Sequence, residues 1–318
     1  MLEGDGSVIV PERKRVAIIG IGNIARKVYL PLLSQHDYAE VVGVLSHSST
    51  TVEQAVHTYR FPKGTTNLEE LLSWDLDAVF VHSPTTTHYD IVTKCLGRGI
   101  SVYVDKPLSY DLEESRRMAE LAQDKGLLLG VGFNRRFAPM YVTAKQWLEE
   151  VGGISHCSAI KHRTKLQTST SRETVHDDLI HMLDLLLWLC GDQYELLRSH
   201  LQSSGDGRLL QASGMLAWKH SAVGMYSMVR EAGVDLEKLE LHGNGRSVEV
   251  VDLDKAILFE KDTLPHIQGF GSWDTVLDRR GFSGVVNNFL CNINTPELCS
   301  IAASAVLPSH MLAAQLAE

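Results

Sequence analysis

Three residues that could do chemistry, Asp105, Lys106 and Pro107, follow directly on a short apolar run at residues 102–104. The run is β-branched and aromatic, which predicts a buried strand, and Pro107 ends strand pairing and makes a cis bond before it less costly. Lys106 is then expected to project above the end of the sheet, where it could hold a carbinol oxygen and help to move its proton. The alternative is a solvated lysine paired with Asp105, and the tripeptide alone favours that alternative.

A carboxylate and an imidazole lie four residues apart on a helix predicted for residues 177–191. Asp177 and His181 are therefore expected on one face of this helix, near its start. Together they could orient a hydroxyl and take its proton, which makes them, with the lysine above, the candidate catalytic and substrate-binding residues. Two alternatives stay open: Asp177 or Asp178 is a helix cap or first-turn acid, or His176 and His181 bind zinc with nearby acids. Acid–base chemistry is favoured over both, and no metal site is expected.

A glycine-rich turn, GIGNIA at residues 20–25, lies between a predicted strand and a predicted helix. This context favours a dinucleotide-binding turn: Gly20 permits the tight turn, and Gly22 lets the backbone approach a pyrophosphate held at the helix N-terminus. Asn23 and Ile24 follow in the same turn and are expected cofactor contacts. Ala25 is small enough for the helix to pack against the strand. A tight turn without a ligand is the alternative.

The end of the second predicted strand bears on the choice between NAD(H) and NADP(H). A carboxylate there would bind the ribose 2′-hydroxyl of NAD. This chain has Ser46, His47 and Ser48 instead. Small hydroxyl residues and a partly cationic imidazole suit a 2′-phosphate better, although no arginine accompanies them. We therefore expect NADP slightly more than NAD as the cofactor.

The ends of other predicted strands supply the remaining expected cofactor contacts. Ser83 to Thr85 are expected to cover the cofactor, and His88 either binds its ribose or a phosphate or caps the following helix. Because the carboxyl ends of parallel strands meet at one edge of a sheet, residues after later strands are expected at the same place. The full set is Ser83, Pro84, Thr85, His88, Asp105, Lys106, Asn134 and Arg135.

Short apolar strands alternate with amphipathic helices over the first 130 residues, which predicts βαβ units and a doubly wound parallel sheet of the Rossmann type. One helix carries Pro31, where a kink is expected. The later pattern, with strand-like runs and turns from about residue 194 to 260, predicts an α+β domain with an open, mostly antiparallel sheet. The predicted domains are residues 1–130 for NAD(P) binding and residues 131–318 for substrate binding.

The bulk composition excludes several classes of protein. The 318 residues carry a net charge of −9. A broad nucleic-acid surface needs a basic face, so no nucleic-acid partner is expected. The five scattered cysteines form no C-x-x-C pair, which favours a reducing compartment. The longest apolar run, residues 183–190, is too short to span a bilayer, and the N-terminus lacks the apolar run of a signal peptide. A cytoplasmic protein without a membrane partner is expected.

Several segments in combination carry a family resemblance. The GxGxxA turn, the strand ending in DKP, VGFNRRF at residues 131–137 and a helix with D-x-x-x-H-x-x-D resemble the Gfo/Idh/MocA oxidoreductases over nearly the whole chain. DAVFVHSPTTTHYDIV, VDKPL, KHR and WDTVLDRRGF are similar to the MviM-type branch of that family. The chain departs from the family pattern at Asp105, where glutamate is usual, and at Leu179, where glycine is frequent and a larger residue could narrow the substrate space.

The resemblance implies hydride transfer between a nicotinamide and the hydroxyl or carbonyl carbon of a sugar- or polyol-like small molecule. It places the catalytic lysine at Lys106, the catalytic histidine at His181 and the preceding acid at Asp177. Arg163, at the end of a predicted strand, is expected to face the cleft and contact an anionic or polyol group. The open sheet is expected to form the interface of a homodimer or homotetramer. A nucleotide-binding sensor without turnover is the alternative function, and it would not need all three catalytic groups.

Overall fold

The first half of the chain forms a six-stranded sheet in which every pairing is parallel. The structure is a computed structural model, and it describes residues 13–219 and 221–318. The strand order is β3-β2-β1-β4-β5-β6, so the chain reverses direction across the sheet between β1 and β4. This is the doubly wound order predicted from the sequence, and it opens a crevice at the carboxyl ends of those two strands. The strands are β1 (Lys14–Ile19), β2 (Ala39–Leu45), β3 (Lys63–Thr65), β4 (Ala78–Val81), β5 (Ser101–Val104) and β6 (Leu129–Val131).

The helices of this half begin where polar side chains bind free backbone N–H groups. Ser48, Asn67 and Asp111 accept such hydrogen bonds before α2, α3 and α5, respectively. Each cap satisfies donors that a helix start leaves without partners, which fixes where the chain turns away from the sheet. The helices are α1 (Leu30–Ser34), α2 (Ser49–Tyr59), α3 (Leu68–Leu72), α4 (His88–Gly97) and α5 (Leu112–Asp124), with a short 3-10 turn at Thr85–Thr87.

The helix after the glycine-rich turn contains a π-helical turn just before Pro31, the residue at which the sequence predicts a kink. A π-helical turn at Ala25–Tyr29 precedes α1, and the Leu30 N–H donates to the carbonyl oxygen of Ala25, five residues back. Pro31 has no N–H to offer to this ladder and lies in the first turn of α1, where proline is tolerated. The irregular turn directs the fully buried Tyr29 toward the ends of β4 and β5.

The second half of the chain forms an eight-stranded sheet that is antiparallel except where β7 pairs with β10. The predicted fold class, a Rossmann domain followed by an α+β domain with an open, mostly antiparallel sheet, is therefore confirmed. Residues alternate between buried and partly exposed along β7 and β11, so one face of the sheet is covered. The strands are β7 (His156–His162), β8 (Tyr194–Ser203), β9 (Leu209–Trp218), β10 (Val223–Val229), β11 (Leu236–Gly243), β12 (Arg246–Val251), β13 (Lys255–Glu260) and β14 (His266–Gly269).

Two helices, α6 and α8, cover the buried face of the second sheet. Every residue of α8 except Trp188 is buried, which explains why all of its residues except His181 and Asp184 are apolar. The helices of this half are α6 (Pro139–Glu149), α7 (Ser171–Thr174), α8 (Ile180–Cys190), α9 (Val276–Arg279), α10 (Phe282–Cys291) and α11 (Ala303–Ala317), with short helical turns at Asn134–Phe137, Val175–Leu179 and Pro296–Leu298. No helix in the described ranges is long and apolar enough to cross a bilayer.

The end of the chain returns to the first sheet. The Val131 N–H at the end of β6 donates to the carbonyl oxygen of Ile301 at 2.9 Å, and α11 then packs against both α5 and α8. This last helix therefore contacts elements from both halves. The division into domains at residue 130 stays a prediction.

Candidate active site

A cleft of about 550 Å³ lies at the carboxyl ends of the strands of the first sheet, facing the start of α8. This is the place where open α/β sheets bind their ligands. Residues from both halves of the chain line it, including most of the residues predicted from the sequence. The lining residues are Ile24, Tyr29, His82, Ser83, Pro84, Thr85, His88, Asp105, Lys106, Tyr110, Gly132, Asn134, Arg135, Asp177, Asp178, His181, Arg280 and Phe282.

The glycine-rich turn has two glycines with different constraints. Gly20 has a φ of 90°, and a Cβ there would come within 2.5 Å of the Ser83 backbone nitrogen, so only glycine fits. At Gly22 a Cβ would meet only the His82 carbonyl oxygen, at 3.9 Å, which leaves open space in front of the turn. Gly22, Asn23 and Ile24 are exposed there. This open space, next to backbone N–H groups at a helix start, fits the pyrophosphate of a dinucleotide.

His88 holds two loops of the cleft together. Its buried ring lies between two backbone carbonyl oxygens, with Nδ1 at 3.0 Å from Pro107 and Nε2 at 3.0 Å from Ser83. Burial lowers the pKa of His88, although Asp105 and the carbonyl oxygens oppose that shift. The Lys106–Pro107 bond at the end of this loop is cis. His88 therefore has no free ring nitrogen for the predicted contact with a ribose or phosphate, because both ring nitrogens already face backbone carbonyl oxygens.

Lys106 reaches across the cleft to the chain segment before α8. Its Nζ donates a hydrogen bond to the backbone carbonyl oxygen of Asp177, while the Tyr110 hydroxyl donates to the two carboxylate oxygens of Asp177 at 3.0 and 2.9 Å. Burial lowers the pKa of Lys106, against the nearby carboxylates, of which Asp177 acts most strongly. Burial also raises the pKa of Asp177. The amine and the carboxylate predicted from separate segments are thus brought together, and Tyr110 is a residue that sequence reasoning missed.

The direct partner of the Asp105 carboxylate is a histidine, and its neighbour Lys106 acts on it only through its charge. Its carboxylate lies 2.9 Å from Nδ1 of His82, a buried residue whose ring stacks on Tyr29 with the centroids 3.8 Å apart. Burial would raise the pKa of Asp105, but the charge and hydrogen bond of His82 lower it below its ordinary value. The alternative of a solvated lysine paired with Asp105 is wrong, because this carboxylate is turned toward His82 and Lys106 donates to the Asp177 carbonyl oxygen. A histidine directly after the buried strand β4 was the available signal for this contact.

His181 is held in its neutral form by its surroundings. Its side chain is nearly buried, Nδ1 has no hydrogen-bond partner, and the ring meets Phe133 edge-on. Burial lowers its pKa well below the ordinary value, and the positive charges of Arg135 and Lys161 act in the same direction. An imidazolium would need acceptors for two N–H groups. A neutral ring in the cleft can accept a proton from a substrate hydroxyl.

The helix that carries Asp177 and His181 begins earlier than predicted. Thr170 and Glu173 form a capping box before α7, and Asp177 then lies within the π-helical turn at Val175–Leu179. The interpretation of Asp177 or Asp178 as a helix cap is therefore wrong. His176 Nδ1 bonds the Arg172 carbonyl oxygen at 2.9 Å, and no group of metal-ligating side chains occurs among residues 13–219 and 221–318.

The second departure from the family pattern, Leu179, lies outside the lining of the cleft. Its side chain is fully buried, between the lining residues Asp178 and His181 in sequence. The expectation that its size narrows the space for a substrate stays a prediction.

Two residues predicted to bind the cofactor, Asn134 and Arg135, line the cleft but are engaged by the protein. Asn134 Nδ2 donates to the carbonyl oxygen of Arg280 at 2.7 Å. The guanidinium of Arg135 binds both carboxylate oxygens of Glu237, at 2.5 and 2.8 Å. Arg163 lies outside the cleft lining, with its guanidinium 3.6 Å from Glu237 and a second, smaller pocket beside it.

The predicted ribose-binding residues follow β2 and also lie outside the cleft lining. Ser46 is buried, His47 is exposed, and the Ser48 hydroxyl accepts from the Thr51 N–H at 3.3 Å. As a hydroxyl, Ser48 keeps its own O–H free to donate. No carboxylate follows β2 up to the start of α2 at Ser49, as the sequence indicated.

The parallel sheet, the glycine-rich turn and the cleft with its lysine, carboxylate and imidazole define an NAD(P)-binding oxidoreductase fold. Residues 14–133 match the family described as "Oxidoreductase family, NAD-binding Rossmann fold" (GFO_IDH_MocA), and residues 139–261 match "YceM-like, C-terminal domain". The chain belongs to the Gfo/Idh/MocA oxidoreductase family, as the resemblance indicated. Membership of this family assigns the protein an activity: it is an NAD(P)-dependent oxidoreductase that acts on CH–OH groups.

The chain is similar to named members of this family over most of its length. "Putative oxidoreductase YceM" from Salmonella typhimurium is 35% identical over 87% of this chain and 88% of that protein. "scyllo-inositol 2-dehydrogenase (NAD(+))" from Bacillus subtilis is 29% identical over 62% of this chain and 58% of that protein. The crystal structure of dehydrogenase MviM from Clostridium difficile has a TM-score of 0.89 and 30% identity, covering 96% of this chain and 99% of that chain.

Proposed function

We propose that this protein transfers a hydride between a nicotinamide cofactor and the hydroxyl or carbonyl carbon of a sugar- or polyol-like small molecule. The observation that carries the proposal is the meeting of Lys106, Asp177 and His181 in one cleft that also includes Ile24 of the glycine-rich turn. A named relative that dehydrogenates an inositol supports a polyol as the substrate class.

Each of the three groups has a distinct role in this proposal. A bound nicotinamide would accept the hydride during oxidation and supply it during reduction. Lys106 donates a hydrogen bond to the reacting oxygen, because its ammonium is already held at the cleft by the Asp177 carbonyl oxygen. Neutral His181 accepts the hydroxyl proton in oxidation and returns it in reduction. Asp177, fixed by Tyr110, accepts a hydrogen bond from a neighbouring substrate hydroxyl.

We propose NADP or NAD as the cofactor, with NADP slightly favoured. The segment after β2 offers Ser46, His47 and Ser48 and no carboxylate, so this segment places no negative charge against a 2′-phosphate. The name of the Bacillus subtilis relative gives NAD(+), which argues for the other cofactor. Fluorescence titrations with NADPH and NADH, compared at one ionic strength, decide between them.

We further propose a cytoplasmic homodimer or homotetramer that forms through the open sheet. Leu197 on β8 and Ile267 on β14 are exposed apolar residues on that sheet, with 46% and 60% of their surface accessible. All five cysteines are free, which suits a reducing compartment. Sedimentation velocity tests the assembly: a monomer at micromolar concentration would contradict it.

The function is tested by cofactor titration followed by a screen of sugars and polyols for reduction of NADP or NAD. We expect Lys106→Met to bind the dinucleotide normally and to lose turnover by a factor of about 10²–10⁴, the usual contribution of a proton-transfer group. Lys94→Met, at an exposed lysine on α4, is the matched control and should keep full activity. Dinucleotide binding without turnover on any compound would instead support the sensor function. An active Lys106→Met variant would contradict the proposed mechanism.

A further inference from the structure

A buried cluster beside the cleft holds more cations than anions. Glu237 serves both Arg135, at 2.5 and 2.8 Å, and Arg163, at 3.6 Å. Asp178 likewise serves two cations through direct ion pairs. Each carboxylate is therefore shared by two basic side chains, so four basic groups have two carboxylates between them. The members of this cationic cluster are Arg135, Lys161, Arg163, Arg230, Asp178 and Glu237.

The excess charge is costly because most of the cluster is out of contact with water. Lys161 is 3% exposed and Arg230 is 5% exposed. Burial and the charge of Arg135 lower the pKa of Lys161 to about 7, even though Asp178 pairs with it. Buried cations without compensating anions are expensive, so a ligand that supplies negative charge here would gain affinity.

A separate pocket of about 240 Å³ gives a ligand access to this cluster. Arg163, Lys165 and Arg230 line it, together with Thr164 and Gln167. The buried Nε of Arg230 has no hydrogen-bond partner, and neither has the Oε1 of Gln167. The one carboxylate of this pocket, on Asp235, accepts hydrogen bonds from the backbone N–H and the hydroxyl of Thr164. The basic side chains of Arg163, Lys165 and Arg230 therefore outnumber the single carboxylate in the lining of this pocket.

The pocket and the cleft share one ion pair. Asp178 lines the cleft beside Lys106 and His181, and its carboxylate accepts from Arg230, which lines the pocket. Arg230 of the pocket is therefore linked directly to Asp178 of the cleft.

We propose that the substrate carries an anionic group, a carboxylate or a phosphate, that binds at Arg163, Lys165 and Arg230. This inference rests on the proposed function and narrows its substrate class from sugars and polyols in general to their acids or phosphate esters. Binding of the anion stabilises the protonated form of Lys161, so the protein takes up protons from the buffer when the anion binds near neutral pH.

The inference is tested by calorimetric titration of the full-length protein with inorganic phosphate and with matched neutral and anionic ligands. The pairs are glucose with glucuronate and myo-inositol with an inositol monophosphate. We expect each anionic member to bind at least about tenfold more tightly than its neutral partner, and its binding heat to vary with the ionisation heat of the buffer. Arg163→Gln and Lys165→Gln should weaken the anionic ligands and phosphate by about tenfold to a hundredfold, the range for hydrogen bonds to charged groups, and leave the neutral ligands unchanged. Lys125→Gln, at an exposed lysine after α5, is the control.

Equal affinity for neutral and anionic partners, no binding of phosphate, or phosphate binding that survives Arg163→Gln would each overturn the inference. Its failure is distinct from failure of the proposed function. Lys106-dependent turnover of neutral polyols, with no preference for anionic substrates, would contradict the inference but not the proposed function. Arg163-dependent binding of phosphate by a protein that binds no dinucleotide would contradict the proposed function and still support an anion-binding pocket.

Discussion

The two glycines of the cofactor turn should respond to alanine in opposite ways. At Gly20, alanine must adopt a φ of 90° and place its Cβ 2.5 Å from the Ser83 nitrogen and 2.7 Å from the His82 carbonyl carbon. The positive φ costs about 1–2 kcal/mol, and moving the backbone at His82 and Ser83, directly after β4, adds about as much again. We expect Gly20→Ala to lower the free energy of unfolding by about 2–4 kcal/mol.

At Gly22 the same substitution meets no protein atom closer than 3.9 Å. Stability should therefore stay the same or rise by up to about 1 kcal/mol, because the unfolded chain loses freedom. The new methyl group instead occupies space that the pyrophosphate is proposed to fill. Overpacking costs about 1–3 kcal/mol, so the Kd for NADPH and NADH should rise by roughly tenfold to a hundredfold.

Urea unfolding and fluorescence titration of the two variants separate these effects. Gly20→Ala is the variant expected to unfold early, and Gly22→Ala the one expected to stay folded and bind poorly. The reasoning is refuted if Gly22→Ala unfolds as easily as Gly20→Ala, or if it is stable and binds both dinucleotides like the wild-type protein.

Three further predictions concern the charged and polar groups. Tyr110→Phe removes the hydrogen bonds to Asp177 and should lower kcat/KM by about tenfold while the unfolding curve stays unchanged; a loss of stability in place of activity would contradict this. Glu237→Gln leaves Arg135 buried without a counter-charge and should cost about 3–5 kcal/mol in urea unfolding. Because Arg135 holds the pKa of Glu237 at about 2, this stabilisation is complete above the ordinary carboxyl pKa and is lost as the pH falls through about 2. His181 must be neutral to accept a proton, so kcat/KM for oxidation should fall only at pH values well below 6.5, and an acid limb at or above 6.5 would contradict the lowered pKa.

The first sheet and its glycine-rich turn could be predicted because their signals are local. Apolar strands, caps and turns lie next to one another in the chain, and β5, which ends two residues before Lys106, was identified in this way. The short strands β3 and β14 were missed because KGT and HIQG contain almost no apolar residues. Their position depends on pairing with β2 and β13, which a local pattern does not record.

The contacts of the site were harder to predict than its members. The sequence placed Arg135 correctly at the carboxyl ends of the parallel strands, but its partner Glu237 is 102 residues away in sequence, on β11. The sequence offered only the neighbouring Lys106 as a partner for Asp105, whereas the carboxylate binds His82, directly after the adjacent strand β4. Such pairs depend on strand order and side-chain direction, so they follow from the tertiary structure and not from spacing along the chain.

The central claim is that a nicotinamide binds within reach of Lys106 and His181. A crystal structure of the protein with NADPH or NADH bound tests it most directly. The account predicts the pyrophosphate on the turn at Gly20 and Gly22, and the nicotinamide ring in the cleft beside the Lys106 Nζ and the His181 ring. A dinucleotide bound elsewhere, or a nicotinamide turned away from both side chains, would contradict it.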